Sequence, residues 1–284
     1  MATPVSKEVV SGVGARYGAV FNLDSNGLPL PATTSAVPVQ GSLIQGIKTL
    51  TITDPESQRI THYGEDQPFA QDSLPATEAG SFQMTTAKTN LILDAMVEGN
   101  KIRTLSNLHM RGGNSSKKGS EPLVFAYFYR QALDTTKGSA TFGKLRQWQL
   151  RLYPSTRLTP QTESFEQGAT DKTYQGTPTP VASTPWGEIF NEANWGQVAS
   201  EYVDFTTDYQ PRINTYLGNG VLTAFQLSHP PVTSDQLHVF VDGTVVSPSA
   251  VNVSATNPAF TLTVAPGSLN AVFAIVETTS PGNT

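Results

Sequence analysis

Cysteine is absent from this chain, which excludes disulfide bonds, thiolate nucleophiles and cysteine-ligated zinc together. Charged residues are scarce, at 14% against about a quarter in an average domain. No apolar run approaches the ~20 residues needed to cross a bilayer, and the opening MATPVSKEVVSG lacks the apolar core of a secretion signal. We therefore expect no membrane anchor and assembly in the cytoplasm where the chain is made.

Reactive constellations are also missing from the sequence. The histidines at 62, 109, 229 and 238 have none of the three- or four-residue spacings of metal-binding pairs. The basic stretch GGNSSKKG lacks the spacing of a phosphate-binding loop, and the acidic loop clusters lack the ordered ligand series of a calcium site. The sequence predicts no catalytic residue, no metal site and no cofactor, and we expect that the protein is not an enzyme.

In place of charged residues the chain is rich in Thr, Ser, Asn, Gln, Gly and Pro. This mixture favours strands joined by turns. In LVFAYFYRQAL, alternation puts Phe125, Tyr127 and Tyr129 on one strand face and Phe128 on the other. A following strand, ATFGKLRQWQLRLYP, places on one face Arg146, Trp148, Leu150 and Leu152. We therefore predict a mainly β fold.

One stretch is typical of a helix, EAGSFQMTTAKTNLILDAMVEGNKI at 78–102. The pattern predicts a helix over about 86–98, with Thr86 as N-cap and Gly99 just past its end. Apolar side chains cover most of its circumference beside one polar stripe, which consists of Asn90, Asp94 and Glu98. Such a helix is expected to be covered by its own sheet and by a neighbour. A short second helix is predicted after Thr184 and Pro185.

Two segments suggest long arms. Residues 1–46 are rich in Gly, Pro, Ala, Ser and Thr: GVGARYGAVF at 12–21 is compatible with the start of a strand, and NGLPLPATTSAVPVQGS at 26–42 is typical of an extended arm or long loop. The segment 58–80 is polar with short extended pieces. We predict that both order only on assembly.

The composition changes near residue 210. Residues 211–284 contain one base and three acids, and short apolar runs recur there at the spacing of a small β-sandwich. Asp242-Gly243 between two such runs is a strong hairpin signal. The sequence predicts a first domain over 1–210 and a second over 211–284, with the boundary between 206 and 214. The second is expected to fold alone.

Charge alternates in blocks along the first domain. Residues 54–98 have eight acids and two bases, a balance of −6; residues 101–157 have eleven bases and two acids, +9; residues 163–208 have eight acids and one base, −7. The blocks either pair within one fold or supply complementary faces for copies of the chain.

Two stretches resemble parts of tailed-phage virion proteins. GNGVLTAFQLSHPPVTSDQLHVFVDGTVVSP resembles their appended immunoglobulin-like β-domains, through Gly218, Gly220, Thr223, Phe225, Leu227, Pro230, Pro231 and 239–243. An upstream stretch resembles the major tail tube proteins of long-tailed phages in the order of its elements and in its composition. This stretch is IKTLTITDPESQRITHYGEDQPFAQDSLPATEAGSFQMTTAKTNLILDAM.

The resemblance implies a tail-tube-type β-sandwich or barrel with one flanking helix and long loops, followed by an immunoglobulin-like sandwich. It implies a virion tail protein that forms stacked hexameric rings, the conduit for DNA ejection. Implied partners are further copies, the tape measure, terminator and baseplate proteins, and DNA that passes an acidic lumen without specific binding. The second domain would then decorate the tube and make weak contact with host-surface glycans.

The predicted subunit-interface residues come from the helix and from the charged segments beside it, namely Leu91, Ile92, Leu93, Asp94, Met96, Glu98, Lys117, Lys118, Asp66 and Asp72. Two other classes of function stay open. One is another virion part: a capsid decoration protein, a tail terminator or a baseplate component. The other is a carbohydrate-binding or hydrolytic adhesin, which requires an aromatic platform or paired carboxylates in a cleft.

Overall fold

The computed structural model describes residues 10–23, 27, 29, 36, 38, 41–54, 58–64, 67–74, 80–87, 90–100, 102–106, 108–111, 121–135, 137–140, 142–166, 169–181, 201–204 and 209–279. Before the helix lie six strands: β1 (Val10–Asn22), β2 (Ser42–Ile44), β3 (Ile47–Thr53), β4 (Gln58–Gly64), β5 (Gln67–Leu74) and β6 (Ser81–Thr86). The helix α1 is Leu91–Glu98.

Thirteen strands follow the helix: β7 (Ile102–Leu105), β8 (Leu108–Arg111), β9 (Leu123–Asp134), β10 (Leu145–Glu166), β11 (Ala169–Pro178), β12 (Glu201–Asp204), β13 (Gln210–Leu217), β14 (Ala224–Gln226), β15 (Leu237–Val241), β16 (Thr244–Val246), β17 (Ala250–Asn252), β18 (Ala259–Thr261) and β19 (Ala271–Thr278). A 3₁₀ turn spans Ser234–Gln236. The mainly β fold with one α-helix in the described part of the chain confirms the predicted fold class.

The first and largest sheet is antiparallel, with strand order β2-β1-β9-β10-β11-β6-β3 and with β12 beside β10. Strands β1 and β3 lie near opposite ends of this order and still contact each other, so the sheet curls towards closure. Its inner face surrounds a core that contains Phe82, Met84, Phe128, Tyr153 and Tyr174. Leu93 and Val97 of α1 complete this inner core.

Strand β9 shows why the sheet has two apolar faces. The residues from Val124 to Tyr129 are all buried, because alternate side chains enter different cores. Phe125, Tyr127 and Tyr129 lie in the outer core, and Phe128 lies in the inner one. The predicted division of these aromatic residues between two faces is confirmed.

Strand β10 is longer than the sequence predicts, because it continues past Pro154 and Pro160. Its register with β9 shifts between Tyr153 and Thr156, and its register with β11 shifts between Pro160 and Glu163. Proline cannot donate a ladder hydrogen bond, and irregular register is where a strand tolerates it.

Residues 210–278 form a sandwich of two sheets, β13-β19-β15-β16 and β14-β18-β17. Its core is apolar and includes Tyr216, Phe225 and Phe260. The predicted hairpin at Asp242-Gly243 joins β15 to β16, with φ of 46° and 77°, the positive values that a tight two-residue turn requires.

The first sheet and the sandwich after Gln210 share the outer core. Ile213, Phe273 and Ile275, on one face of the β13-β19 sheet, pack with the outer aromatic face of the first sheet. Tyr17 donates its hydroxyl to the carbonyl of Pro211 at 2.7 Å, and the Arg212 guanidinium lies 4.6 Å from the Tyr17 ring centre. Burial raises the pKa of Tyr17 far above its ordinary value of 10. The second unit therefore covers apolar surface of the first instead of standing apart from it.

The predicted arms are corrected in part. Residues 10–22 form β1, which pairs with β9 along most of its length, so this segment belongs to the sheet and not to an arm. The polar segment 58–80 contains the antiparallel hairpin β4–β5 rather than a loop. The predicted second helix lies in 182–200, outside the described residues.

Candidate assembly surface

Helix α1 begins later than the sequence predicts. The N-cap is Asn90, whose Oδ1 accepts from the backbone N–H of Ile92 at 3.0 Å and of Leu93 at 3.2 Å. Its Nδ2 also donates to the carbonyl of Leu43, at 3.1 Å, which ties the helix start to β2. Thr86 ends β6, so its assignment as N-cap is wrong; its buried hydroxyl lies 3.4 Å from the carbonyl oxygen of Lys172.

The helix ends where the sequence predicts. Gly99 has a φ of 66°, a left-handed conformation that glycine adopts without a Cβ penalty. Its N–H donates to the carbonyl of Met96 at 3.2 Å, and Asn100 N–H donates to that of Ala95 at 2.8 Å. These bonds satisfy carbonyls that a helix end otherwise leaves unpaired.

A buried ion pair attaches the helix to the first sheet. Asp94 Oδ2 lies 2.7 Å from Lys172 Nζ on β11, and each side chain is 4% exposed. Tyr174 donates its hydroxyl to Asp94 Oδ1 at 2.6 Å, and Glu163 places a second carboxylate 3.8 Å from Lys172 Nζ. Asp94 therefore belongs to the interior and not to an exposed polar stripe.

Beside the helix lies an apolar groove of about 990 Å³. The residues from Leu91 to Leu93 and Met96 lie on its helix side, and β2, the end of β6 and the hairpin β7–β8 contribute the other walls. Ile92 is 59% exposed, although most apolar side chains of this size are buried in a folded protein.

The hairpin β7–β8 lies beside the groove, with one face towards it and apolar side chains exposed on the other. Opposite residues of an antiparallel pair share a face, so Thr104 and His109 are on one face and Leu105 and Leu108 are on the other. His109 lines the groove, whereas Leu105 and Leu108 are 64% and 62% exposed. The two strands pair with no third strand in the described structure, and an isolated two-stranded hairpin is marginally stable in water.

We call the groove and the hairpin together the α1 surface; it comprises Leu91, Ile92, Met96, Ile102, Leu105, Leu108, His109 and Met110. Of the predicted interface residues, Leu91, Ile92 and Met96 lie on it. Leu93 also lines the groove, although it is buried and packs in the inner core, whereas Asp94 lies in the interior of the chain. A place in a subunit interface stays a prediction for all of these residues.

The remaining predicted interface residues carry charge. Glu98 is half-buried at the helix end, where its Oε2 accepts from Asn100 Nδ2 at 2.8 Å. Asp72 is placed on β5 by its backbone alone. Lys117, Lys118 and Asp66 lie outside the described residues.

Sequence reasoning missed the exposed hairpin and the partners of Asp94. Leu105 and Leu108 flank Ser106-Asn107, and a short polar pair between two extended runs is a hairpin signal that could have revealed them. Among the residues that the structure describes, charge blocks pair within the fold where Arg151 lies 3.1 Å from Asp54 and where Lys172 lies 2.7 Å from Asp94.

Among the described residues, no helix is long and apolar enough to cross a membrane. Within the same residues, no three His, Asp or Glu side chains are grouped so that they could hold a metal ion. No model of a known protein family matches this chain, and no curated protein matches it. Its function is therefore inferred from the chemistry of its surfaces.

Proposed function

We propose that this chain is a structural virion protein whose copies assemble into stacked rings that form a phage tail tube. In this role it is a conduit for DNA ejection, located in the tail and in contact with tape measure, terminator and baseplate proteins. DNA passes through the lumen without specific binding. The resemblance of its sequence to tail tube proteins suggests the role, and the α1 surface supports it.

The observation that carries the proposal is an apolar groove next to a hairpin that no third described strand supports and that exposes apolar side chains on its other face. Exposed apolar patches that exceed a few hundred Å² typically mark a binding surface in a soluble protein. A second copy that covers the α1 surface would bury Ile92, Leu105 and Leu108, and would give the hairpin the further packing that two strands need.

Negative-stain electron microscopy of the purified full-length chain tests the proposal. We expect long tubes from the wild-type protein. Ile92→Asp places a charge in the groove and is expected to leave rings or monomers, because burial of an unpaired carboxylate is costly. Val245→Asp is the matched control: Val245 is similarly exposed but lies on β16, so tubes should still form.

Two results would count against a tail tube. Wild-type protein that gives only single rings at high concentration favours a terminator or another ring-forming virion part. Tubes that form equally well with Ile92→Asp remove the α1 surface from the assembly mechanism.

A further inference from the structure

A second cavity, of about 260 Å³, lies where the curled first sheet approaches closure, and it shares no lining residue with the groove beside α1. Residues of β1 and β3 face each other across it, and β9 and β10 contribute polar side chains. We call it the arginine pocket; its lining includes Gly14, Ala15, Leu50, Ile52, Phe128, Arg130, Gln149 and Arg151.

The pocket is open because β1 is irregular at this point. The register of β1 with β9 shifts on both sides of Ala15, and Gly14 has a φ of 31°. A Cβ built on Gly14 would meet no atom within 4 Å. A regular strand with larger side chains would fill this space, whereas the bulge and two small residues leave it empty.

Two guanidinium groups line the cavity. Arg130 Nε donates to Gln149 Oε1 at 2.7 Å, across directly paired positions of β9 and β10. The terminal nitrogens of Arg130 have no hydrogen-bond partner among the described residues. A guanidinium group that is held through Nε presents its remaining donors in a fixed plane.

The second guanidinium, that of Arg151, lies beside an exposed carboxylate. Arg151 Nη2 donates to Asp54 Oδ1 at 3.1 Å, but the Asp54 side chain is 76% exposed and that of Arg151 is 12% exposed. An ion pair with one solvated member is weak. Arg130 and Arg151 therefore bring two guanidinium groups to this cavity, next to the carboxylate of Asp54.

We infer that the arginine pocket binds a small organic oxyanion, a carboxylate or a phosphate, whose apolar part packs against Leu50 and Ile52. Planar guanidinium groups recognise such oxyanions through paired charge-assisted hydrogen bonds. The volume is below the ~300–1,000 Å³ of sites for drug-sized ligands, so the ligand is small. This inference is independent of the proposed assembly into tubes.

Isothermal titration of the full-length chain with benzoate, phenyl phosphate and the neutral isostere benzamide tests the inference. We expect saturable binding of at least one of the two anions and none of benzamide. The comparison of benzoate with phenyl phosphate identifies the preferred oxyanion.

Three variants separate a specific site from general charge attraction. Arg130→Gln is expected to weaken anion binding about tenfold or more, since charge-assisted hydrogen bonds are lost. Asp54→Asn is expected to tighten binding about two- to fivefold, because it removes the competing carboxylate. Arg103→Gln, at an exposed arginine on β7 outside the pocket, should change nothing.

A fourth variant, Ile52→Trp, fills the cavity without a change of charge and should abolish binding. Each variant is compared with wild type by thermal unfolding, so that a loss of binding is read only from folded protein. The inference is overturned if neither anion binds at up to about 10 mM. It is also overturned if benzamide binds as well as benzoate, or if Arg130→Gln and Asp54→Asn leave the affinity unchanged.

Discussion

The two β regions of this protein, before and after Gln210, bury their strands by different means. The first contains an ion pair deep in its interior, where Lys172 on β11 holds Asp94 on the helix. The second has no Asp, Glu, Lys or Arg in residues 213–234 or 243–276. In its described part, His238 Nε2 lies 3.0 Å from Glu277 Oε1, which joins an exposed imidazole to a buried carboxylate.

The stability of the two regions therefore depends on different interactions. A buried ion pair adds little net stability over apolar residues of equal size, but removal of one partner leaves an uncompensated charge. An apolar sandwich instead depends on the area that it removes from water. The core that the two regions share is apolar, so its contribution to stability also comes from area removed from water. We therefore expect this shared core to decide whether either region can fold alone.

The largest effect is expected from removal of residues 210–284. Truncation uncovers the outer aromatic face of the first sheet, including Phe125, Tyr129 and Trp148. We expect the remaining chain to aggregate or to bind a hydrophobic dye strongly, as measured by light scattering and dye fluorescence. A monodisperse, cooperatively unfolding fragment would show that the second region is only an attachment, as the sequence predicts.

Asp94→Ala should destabilise the first region by about 3–5 kcal/mol, because Lys172 is left buried without its main partner. Chemical unfolding measures the loss. The double variant Asp94→Leu/Lys172→Met replaces the pair by apolar side chains and should recover most of it. The corresponding change at a more exposed pair, Lys48→Met opposite Asp171, should cost no more than about 1 kcal/mol.

Adjacent side chains of β19 distinguish the shared core from the core of the second region. Ile275 packs in the shared core, and Val276 packs among the side chains of the second sandwich. We expect Ile275→Ala to cost about 2–5 kcal/mol. It should also lower the protection from hydrogen exchange of amides in β9 and β10, whereas Val276→Ala should act on the second sandwich alone. Equal effects of both variants on β9 would mean that the regions unfold as one unit.

The smallest effect concerns pH. Burial, with a lesser contribution from Arg212, lowers the pKa of His229 from its ordinary 6.5. The unfolded chain therefore binds more protons there than the folded one, so stability is full above about pH 6.5 and falls as the pH drops below it. Urea unfolding at pH 8 and pH 5.5 should show a loss below about 1 kcal/mol that His229→Gln removes. His109→Gln, at an exposed histidine, should leave the loss in place.

Local patterns predicted much of the fold. Alternation placed the aromatic residues of β9 on the correct faces, and glycine marked the end of α1 and the hairpin between β15 and β16. The start of α1 was placed too early, because Thr86 has the chemistry of an N-cap but its backbone is used by β6. Asn90, four residues later, also has a side chain that can cap a helix, and its backbone belongs to no strand.

The candidate site was predicted only in part. Ile92 and Met96 were identified from their apolar character, which a helical projection shows directly. The projection also put Asp94 on a polar stripe, since it contains no information about Lys172 on a distant strand. The arginine pocket was not predicted at all, because its residues come from four strands.

The sequence by itself determined that this chain is mainly β, that it carries a helix that ends before Gly99, and that most of its charge lies in the first region. Each of these depends on residues within a few positions of one another. Only the tertiary structure decided that Asp94 is buried, that the two regions share a core, and which apolar side chains stay exposed. These features depend on contacts between residues far apart in the sequence, such as Asp94 and Tyr174, which are 80 residues apart. A local sequence pattern contains no information about such contacts.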